Sequence, residues 1–158
     1  FDSVINVNLK GTWNFVKAAA RPLMKAGGGR IINIASIAGQ RAAFGRTSYG
    51  TSKAAVIGLT RQMASELAPM GITANAIGPG PVATPLLLNA ISDEGLRKYL
   101  DLIPAGRLGE VAEIADAACF LAGEQAGYVN GQVIFVDGGY TAVGVRDAKK
   151  RLLIGPHL

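Results

Sequence analysis

Three short runs, "RIINIAS" (30–36), "ITANAIG" (72–78) and "GQVIFVDGG" (131–139), are rich in β-branched or apolar residues, and each follows a stretch whose apolar side chains recur every three or four positions. That alternation is what most limits the fold. Strands joined through helices run parallel and need crossovers, which are right-handed on a common sheet. The order helix, strand, helix, strand, helix, strand therefore predicts an α/β fold, a doubly wound parallel sheet of the Rossmann type. The β-branched run between a glycine cluster and a Ser/Gly-rich loop reads as a strand covered on both faces.

The helical stretches can be bounded from their own punctuation. Residues 2–26 carry Val4, Ile5, Val7, Leu9, Val16, Ala18 to Ala20 and Leu23, and the triple glycine 27–29 stops them. In 48–70, Val56, Leu59, Thr60, Met63 and Leu67 fall at spacings of three and four, and Gly71 closes the helix. Residues 110–122 place Val111, Ile114, Ala115, Ala118 and Leu121 on one face. The stretch 86–108 reads as broken helix, long enough for a flap, whose Leu86, Leu87, Leu88, Leu96 and Leu102 suggest apolar pocket walls without naming a substrate. Three strands make a thin open sheet, so further strands are expected from an upstream segment or another chain. The opening "FDSVINVNLKG" has no initiator methionine and no signal-peptide pattern, and the chain reads as a piece of a longer protein.

Composition narrows the classes of function. With 49% hydrophobic and 17% charged residues in 158, the chain can bury one core as one domain, and disorder is excluded. Its apolar runs fall far short of the ~20 residues of a membrane span, so no membrane partner is expected. The single cysteine, Cys119, cannot form an internal disulfide, which points to the reducing cytoplasm. Of the formal charge of +5, "RDAKKR" (146–151) supplies 4 − 1 = +3. Without a basic helix or interleaved aromatics this reads as a solvated terminal run, and nucleic acid is set aside as a partner. Trp13 and Cys119 read as packing residues, Asp137 as a turn acid, and His157 as a terminal histidine without partner ligands, so no metal site is expected.

"SYGTSK" (48–53) puts Tyr49 and Lys53 on one face of a helix. The spacing alone fits a surface pair with the lysine lying over the ring. It also fits chemistry. A free tyrosine, with a pKa of about 10, is ionised to about one part in a thousand at pH 7, and a neighbouring cation favours the phenolate that proton transfer needs. Ser36 closes the first strand at the carboxyl edge, where open α/β sheets hold ligands. Taken singly, Ser36 also fits a turn cap and Asn8 a polar break in a helix. The formal G-x-G-x-x-A match in "GPGPVA" (78–83) is rejected as a phosphate loop, because Pro79 and Pro81 lack the N–H groups such a cradle uses.

In this order, "NVNLKGT", "IINIASIAG", "SYGTSKAA", "TANAIGPGPVATP" and "VNGQVIFVDGGYTA" resemble the C-terminal portion of the short-chain dehydrogenase/reductase family, over nearly the whole chain to Ala142. Within it, the resemblance points towards 3-oxoacyl-acyl-carrier-protein reductases and sugar or secondary-alcohol dehydrogenases. It implies that Tyr49 is the general acid/base, that Lys53 eases ionisation of the phenol and holds the nicotinamide ribose, that Ser36 binds the substrate oxygen, and that Asn8 shapes a helix break holding a water near Lys53. It further implies that the loop Pro79, Gly80, Val82 and Thr84 flanks the nicotinamide of NAD or NADP. The substrate would be a small carbonyl or secondary alcohol. The family's phosphate-binding glycine loop finds no match here, so adenine-half binding is unsupported by these residues. Residues 1–142 are then expected to be the C-terminal part of one catalytic domain, with 143–158 a tail. A homodimer or homotetramer would pair through the two long helices, whose Trp13, Phe15, Val16, Ile57 and Met63 exceed what one sheet contact requires. The alternative is a truncated, non-catalytic chain that acts only in assembly with partner chains.

Overall fold

The computed structural model describes residues 1–143; the basic run 146–151 and His157 lie outside the described residues. Strand β1 (Gly29–Ile34), strand β2 (Ile72–Pro79) and strand β3 (Val133–Val136) form one parallel sheet in the order β1-β2-β3. The register sets Ile31 beside Ala74 and Ile77 beside Ile134. Only β2 is buried along nearly its whole length, as the middle strand must be. β1 departs from the expected cover on both faces, since Ile34 is 51% exposed at the edge of the sheet. With no strand beyond β1 among the described residues, nothing shields that side.

The helices form where the periodicity places them, with informative departures. The stretch expected as one helix is α1 (Asp2–Ile5), a π-helical segment (Asn6–Lys10) and α2 (Gly11–Lys25). The triple glycine stops α2 by a Schellman motif: Gly28 N–H donates to Leu23 O and Gly27 N–H to Met24 O, with φ +83° at Gly27. Gly28 has a second reason to lack a side chain. A Cβ there would lie 2.6 Å from Gly71 O, where β1 and β2 begin their pairing.

Helix α3 (Thr47–Leu67) packs on β2. Val16, Ile31, Met63, Ala64, Ile72 and Ala74 form one core cluster, and Ala35, Val56, Ile57 and Ala76 form another. Val16, Ile57 and Met63 are therefore core residues rather than a surplus apolar face. Trp13 and Phe15 are exposed. Trp13 was expected to pack, as was Cys119, which is also exposed. On these helices the core-facing stripe is already filled by their neighbours.

The flap is two helices, α4 (Pro85–Ala90) and α5 (Asp93–Leu102), capped by Thr84 Oγ1 and Ser92 Oγ respectively. Pro85 takes the first helical position, where a missing N–H does no harm. Of the flap leucines, Leu86, Leu88 and Leu102 are exposed, while Leu87 is half-buried and lines the cleft described below. In α6 (Val111–Ala122) the expected face is only partly buried: Leu121 is fully buried and Val111 is exposed, because a three-stranded sheet is too narrow to cover the whole helix. Among the described residues no helix is long and apolar enough to cross a membrane.

The entry to α6 is fixed by charge. Glu110 N–H donates to Glu113 Oε2 at 2.7 Å, and Arg107 clasps the same carboxylate with Nη1 at 2.8 Å and Nη2 at 2.6 Å. The Arg107 hydrogen bonds, with that from Glu110, hold the Glu113 carboxyl down to about 2. A carboxyl depressed in the folded state stabilises fully above its unfolded value, and that contribution is lost as pH falls through the folded one. An NMR titration of the Glu113 side-chain carbon should find a midpoint near 2, moving up towards the ordinary ~4.3 in Arg107→Gln.

Candidate functional site

The site lies where β1 ends and α3 begins. β1 stops at Ile34, two residues before Ser36, which continues in extended conformation (φ −172°, ψ 159°) at the carboxyl edge. Ser36 is buried, and its Oγ accepts from Ala38 N–H at 3.1 Å. The turn-cap reading is thus correct, and it leaves the hydroxyl proton without an acceptor among the described residues. Tyr49 sits in the first turn of α3 and Lys53 one turn further on. Ser36, Tyr49 and Gly80 line one cleft, with Leu87 and Tyr99 from the flap and Tyr140 beyond β3.

Lys53 Nζ lies 5.8 Å from the centroid of the Tyr49 ring and donates to Ile34 O at 2.9 Å. Burial pushes the Lys53 ammonium below the ordinary lysine range, so it gives up a proton more readily than a surface lysine. The Arg46 guanidinium is 5.9 Å from the same centroid. Sequence reading missed Arg46, although its position three residues before Tyr49 is the same kind of helical spacing that marks Lys53. Arg41, Tyr99 and Tyr140 were missed as well. They come from three separate segments and meet only through the topology.

Asn8 lies in the π-helical segment, and its Nδ2 donates to Ser52 Oγ at 3.0 Å. Ser52 Oγ in turn donates to Tyr49 O at 2.7 Å. Ser52, fully buried and absent from the sequence reading, is therefore the link between Asn8 and the turn that carries Tyr49. Asn8 and Lys53 share a second cleft beside Ile34.

The loop after β2 is brought alongside rather than into the first cleft. Gly80 lines it with Pro81; Pro79, Val82 and Thr84 do not. Three N–H groups here are already engaged: Gly80 with Val136 O, Ala83 with Gly109 O, and Thr84 with Val82 O. With Pro79 and Pro81 lacking donors, the loop cannot cradle a pyrophosphate, as expected. Thr84 Oγ1 accepts from Leu87 N–H and so also sets the start of the flap. Beyond β3, Asp137 is the expected turn acid: its carboxylate accepts from Gly139 N–H, Thr141 N–H and Thr141 Oγ1.

Residues 1–141 match the family model described as enoyl-(acyl carrier protein) reductase. The chain is 41% identical over 139 residues to 3-oxoacyl-[acyl-carrier-protein] reductase FabG of Vibrio harveyi, covering 88% of this chain and 57% of that protein. It is 44% identical over 140 residues to (3R)-3-hydroxyacyl-CoA dehydrogenase of Rattus norvegicus, covering 88% and 54%. Among solved structures, a gluconate 5-dehydrogenase from Burkholderia cenocepacia in complex with NADP and tartrate superposes with a TM-score of 0.84 at 38% identity, over 89% of this chain and 55% of that one. Levodione reductase gives 0.88 at 33% identity, over 91% and 58%. The chain thus spans about half the length of the curated relatives it matches.

If Ser52 links Asn8 to the Tyr49 turn, removing either partner should leave buried polar atoms unpaired. Asn8→Ala and Ser52→Ala are each expected to lower unfolding stability by roughly 1–3 kcal/mol. Their effects should be non-additive by at least about 0.5 kcal/mol in a double-mutant cycle read by denaturant titration.

Proposed function

The chain belongs to the short-chain dehydrogenase/reductase family, and from that premise we propose that the protein is an oxidoreductase that moves hydride between NAD or NADP and the carbon of a small carbonyl or secondary alcohol. The observation that carries this reading is the convergence of Ser36 and Tyr49 on one cleft, with Lys53 beside the tyrosine ring. The reacting oxygen sits between the Ser36 hydroxyl, whose proton has no other acceptor among the described residues, and the Tyr49 hydroxyl. Tyr49 donates its proton to the oxygen in reduction and takes it back in oxidation. Fixed donors at that point stabilise the charge that develops on the oxygen. Asn8 and Ser52 hold the helical turn that presents Tyr49.

The donor chemistry of the second cleft suits the nicotinamide half of a dinucleotide. Among the described residues Lys53 has only Ile34 O as an acceptor and retains donors for the hydroxyls of a ribose. Val82 and Thr84 are the residues we place near the carboxamide, with Pro79 and Gly80 shaping that wall. When bound, the nicotinamide supplies or receives the hydride. Residues 1–142 form the C-terminal part of a single Rossmann-type catalytic domain in this reading, working in the cytoplasm as a homodimer or homotetramer, with 143–158 a tail.

A second reading, that the chain acts only in assembly with partner chains, draws on the exposed Val7 of the π-helical segment, Phe15 of α2 and Ile34 on the open edge of β1. One substitution separates the two. In the full-length protein, Tyr49→Phe should lower turnover by about 10² or more while leaving circular dichroism and nicotinamide-cofactor binding intact. Retention of more than about a tenth of the rate would contradict the acid/base role. Light scattering at micromolar concentration should report a dimer or tetramer, and a charged substitution at the exposed Phe15 should reduce it towards the monomer.

A further inference from the structure

The cleft that holds Ser36 and Tyr49 also carries two guanidinium groups, Arg41 and Arg46, and no acidic residue lines it among the described residues. Neither arginine has a carboxylate partner: the ion pairs among the described residues are Lys98 with Glu94 and Arg107 with Glu113. Arg41 Nη2 donates to the carbonyl oxygens of Thr141, at 2.9 Å, and Val143. Those bonds aim the guanidinium but do not neutralise it. Among the described residues the Arg46 guanidinium meets the Tyr49 ring, its carbon 5.9 Å from the centroid.

Two full charges without a carboxylate partner among the described residues, facing one concave site, raise the local concentration of anions there. The planar fork of an arginine fits two oxygens of a carboxylate or phosphate better than it fits a neutral hydroxyl. Arg46 lies beside Tyr49, and not at the far end of the cleft, so the anion it meets is close to the reacting carbon. Resting on the oxidoreductase reading above, we propose that the substrate is a short anionic molecule, a carbonyl or secondary alcohol bearing a carboxylate or phosphate near the reacting carbon, and that Arg46 pairs with that group. Arg41 holds the segment carrying Tyr140 against the opposite wall and adds its charge to the same cleft. Long neutral chains gain nothing from either arginine.

The test uses the full-length protein and two matched pairs of probes: 3-oxobutanoate against its methyl ester, and dihydroxyacetone phosphate against dihydroxyacetone. The first readout is binding. The Arg46 Nε–Hε NMR signal, assigned by its loss in Arg46→Met, should shift saturably with at least one of the two anions and with neither neutral mate. Which anion moves it identifies the group. The second readout is the ratio of kcat/KM for the charged over the neutral member of that pair, which should fall about ten- to hundred-fold in Arg46→Met, the range expected for losing a charge-assisted hydrogen bond. Arg46→Lys should retain part of the ratio. No saturable shift with either anion overturns the proposal whatever the enzyme turns over, and an undiminished ratio in Arg46→Met does the same. A shift produced by NADPH but by neither small anion would assign Arg46 to the cofactor and overturn it too. The oxidoreductase reading stands or falls separately, on Tyr49→Phe.

Discussion

The seating of α3 on β2 is the contact on which the rest of the site depends. Val56, Met63 and Ala64 of the helix meet a strand that presents Ala74 and Ala76 beside Ile72, all buried. Alanines at the middle of the strand let the helix come close, and interiors packed at crystalline density do not slide. A buried hydrogen bond adds direction: Asn33 Nδ2 of β1 donates to Thr60 Oγ1 of α3 at 2.9 Å. Since Tyr49 and Lys53 stand on the first turns of this rigid helix and Ser36 just past the end of β1, their mutual geometry is decided by apolar contacts several turns away from them.

The turn that leads into β3 is held by polar rather than apolar means. Asn130 accepts from Ala74 N–H and donates to Ala64 O, while Asn75 donates to Val129 O and accepts from Gln132 N–H. One buried amide, Asn75, and one half-buried amide, Asn130, thus pin that turn, with each functional end used. Past β3, Asp137 folds the chain back on itself, and Arg41 reaches from the loop after β1 to grip the result. Helix α3 and this turn are therefore tied to the same three strands.

Much of the fold and of the Tyr49–Lys53 pair was legible because each is a local pattern: helical spacing, β-branched runs and glycine stops are written in neighbouring residues. What escaped was non-local or two-valued. Ser52 looks like an ordinary helical serine until Asn8, 44 positions away in sequence, is seen to donate to it. Arg41 belongs to a loop without periodicity, and only the return of the chain at 141–143 gives it carbonyls to hold. The expected apolar walls take shape in part, for a related reason. A run of leucines announces hydrophobicity, but on α4 only Leu87 turns towards the cleft while Leu86 and Leu88 face outwards. The edge exposure of Ile34 was invisible because a β-branched run reads alike in a central strand and at a border.

The π-helical segment at Asn6–Lys10 amounts to one residue more than an α-helix needs to cover the same rise. Each residue of an α-helix turns the chain by about a hundred degrees, so that single surplus residue sets the angular phase between everything before Asn6 and everything after Lys10. It aims Asn8 at α3 and simultaneously decides which side of α1 looks towards α3. Shortening the segment by one residue would preserve the sequence of both helices and yet rotate one against the other by more than a quarter turn, which makes this five-residue stretch a phase setting rather than a spacer.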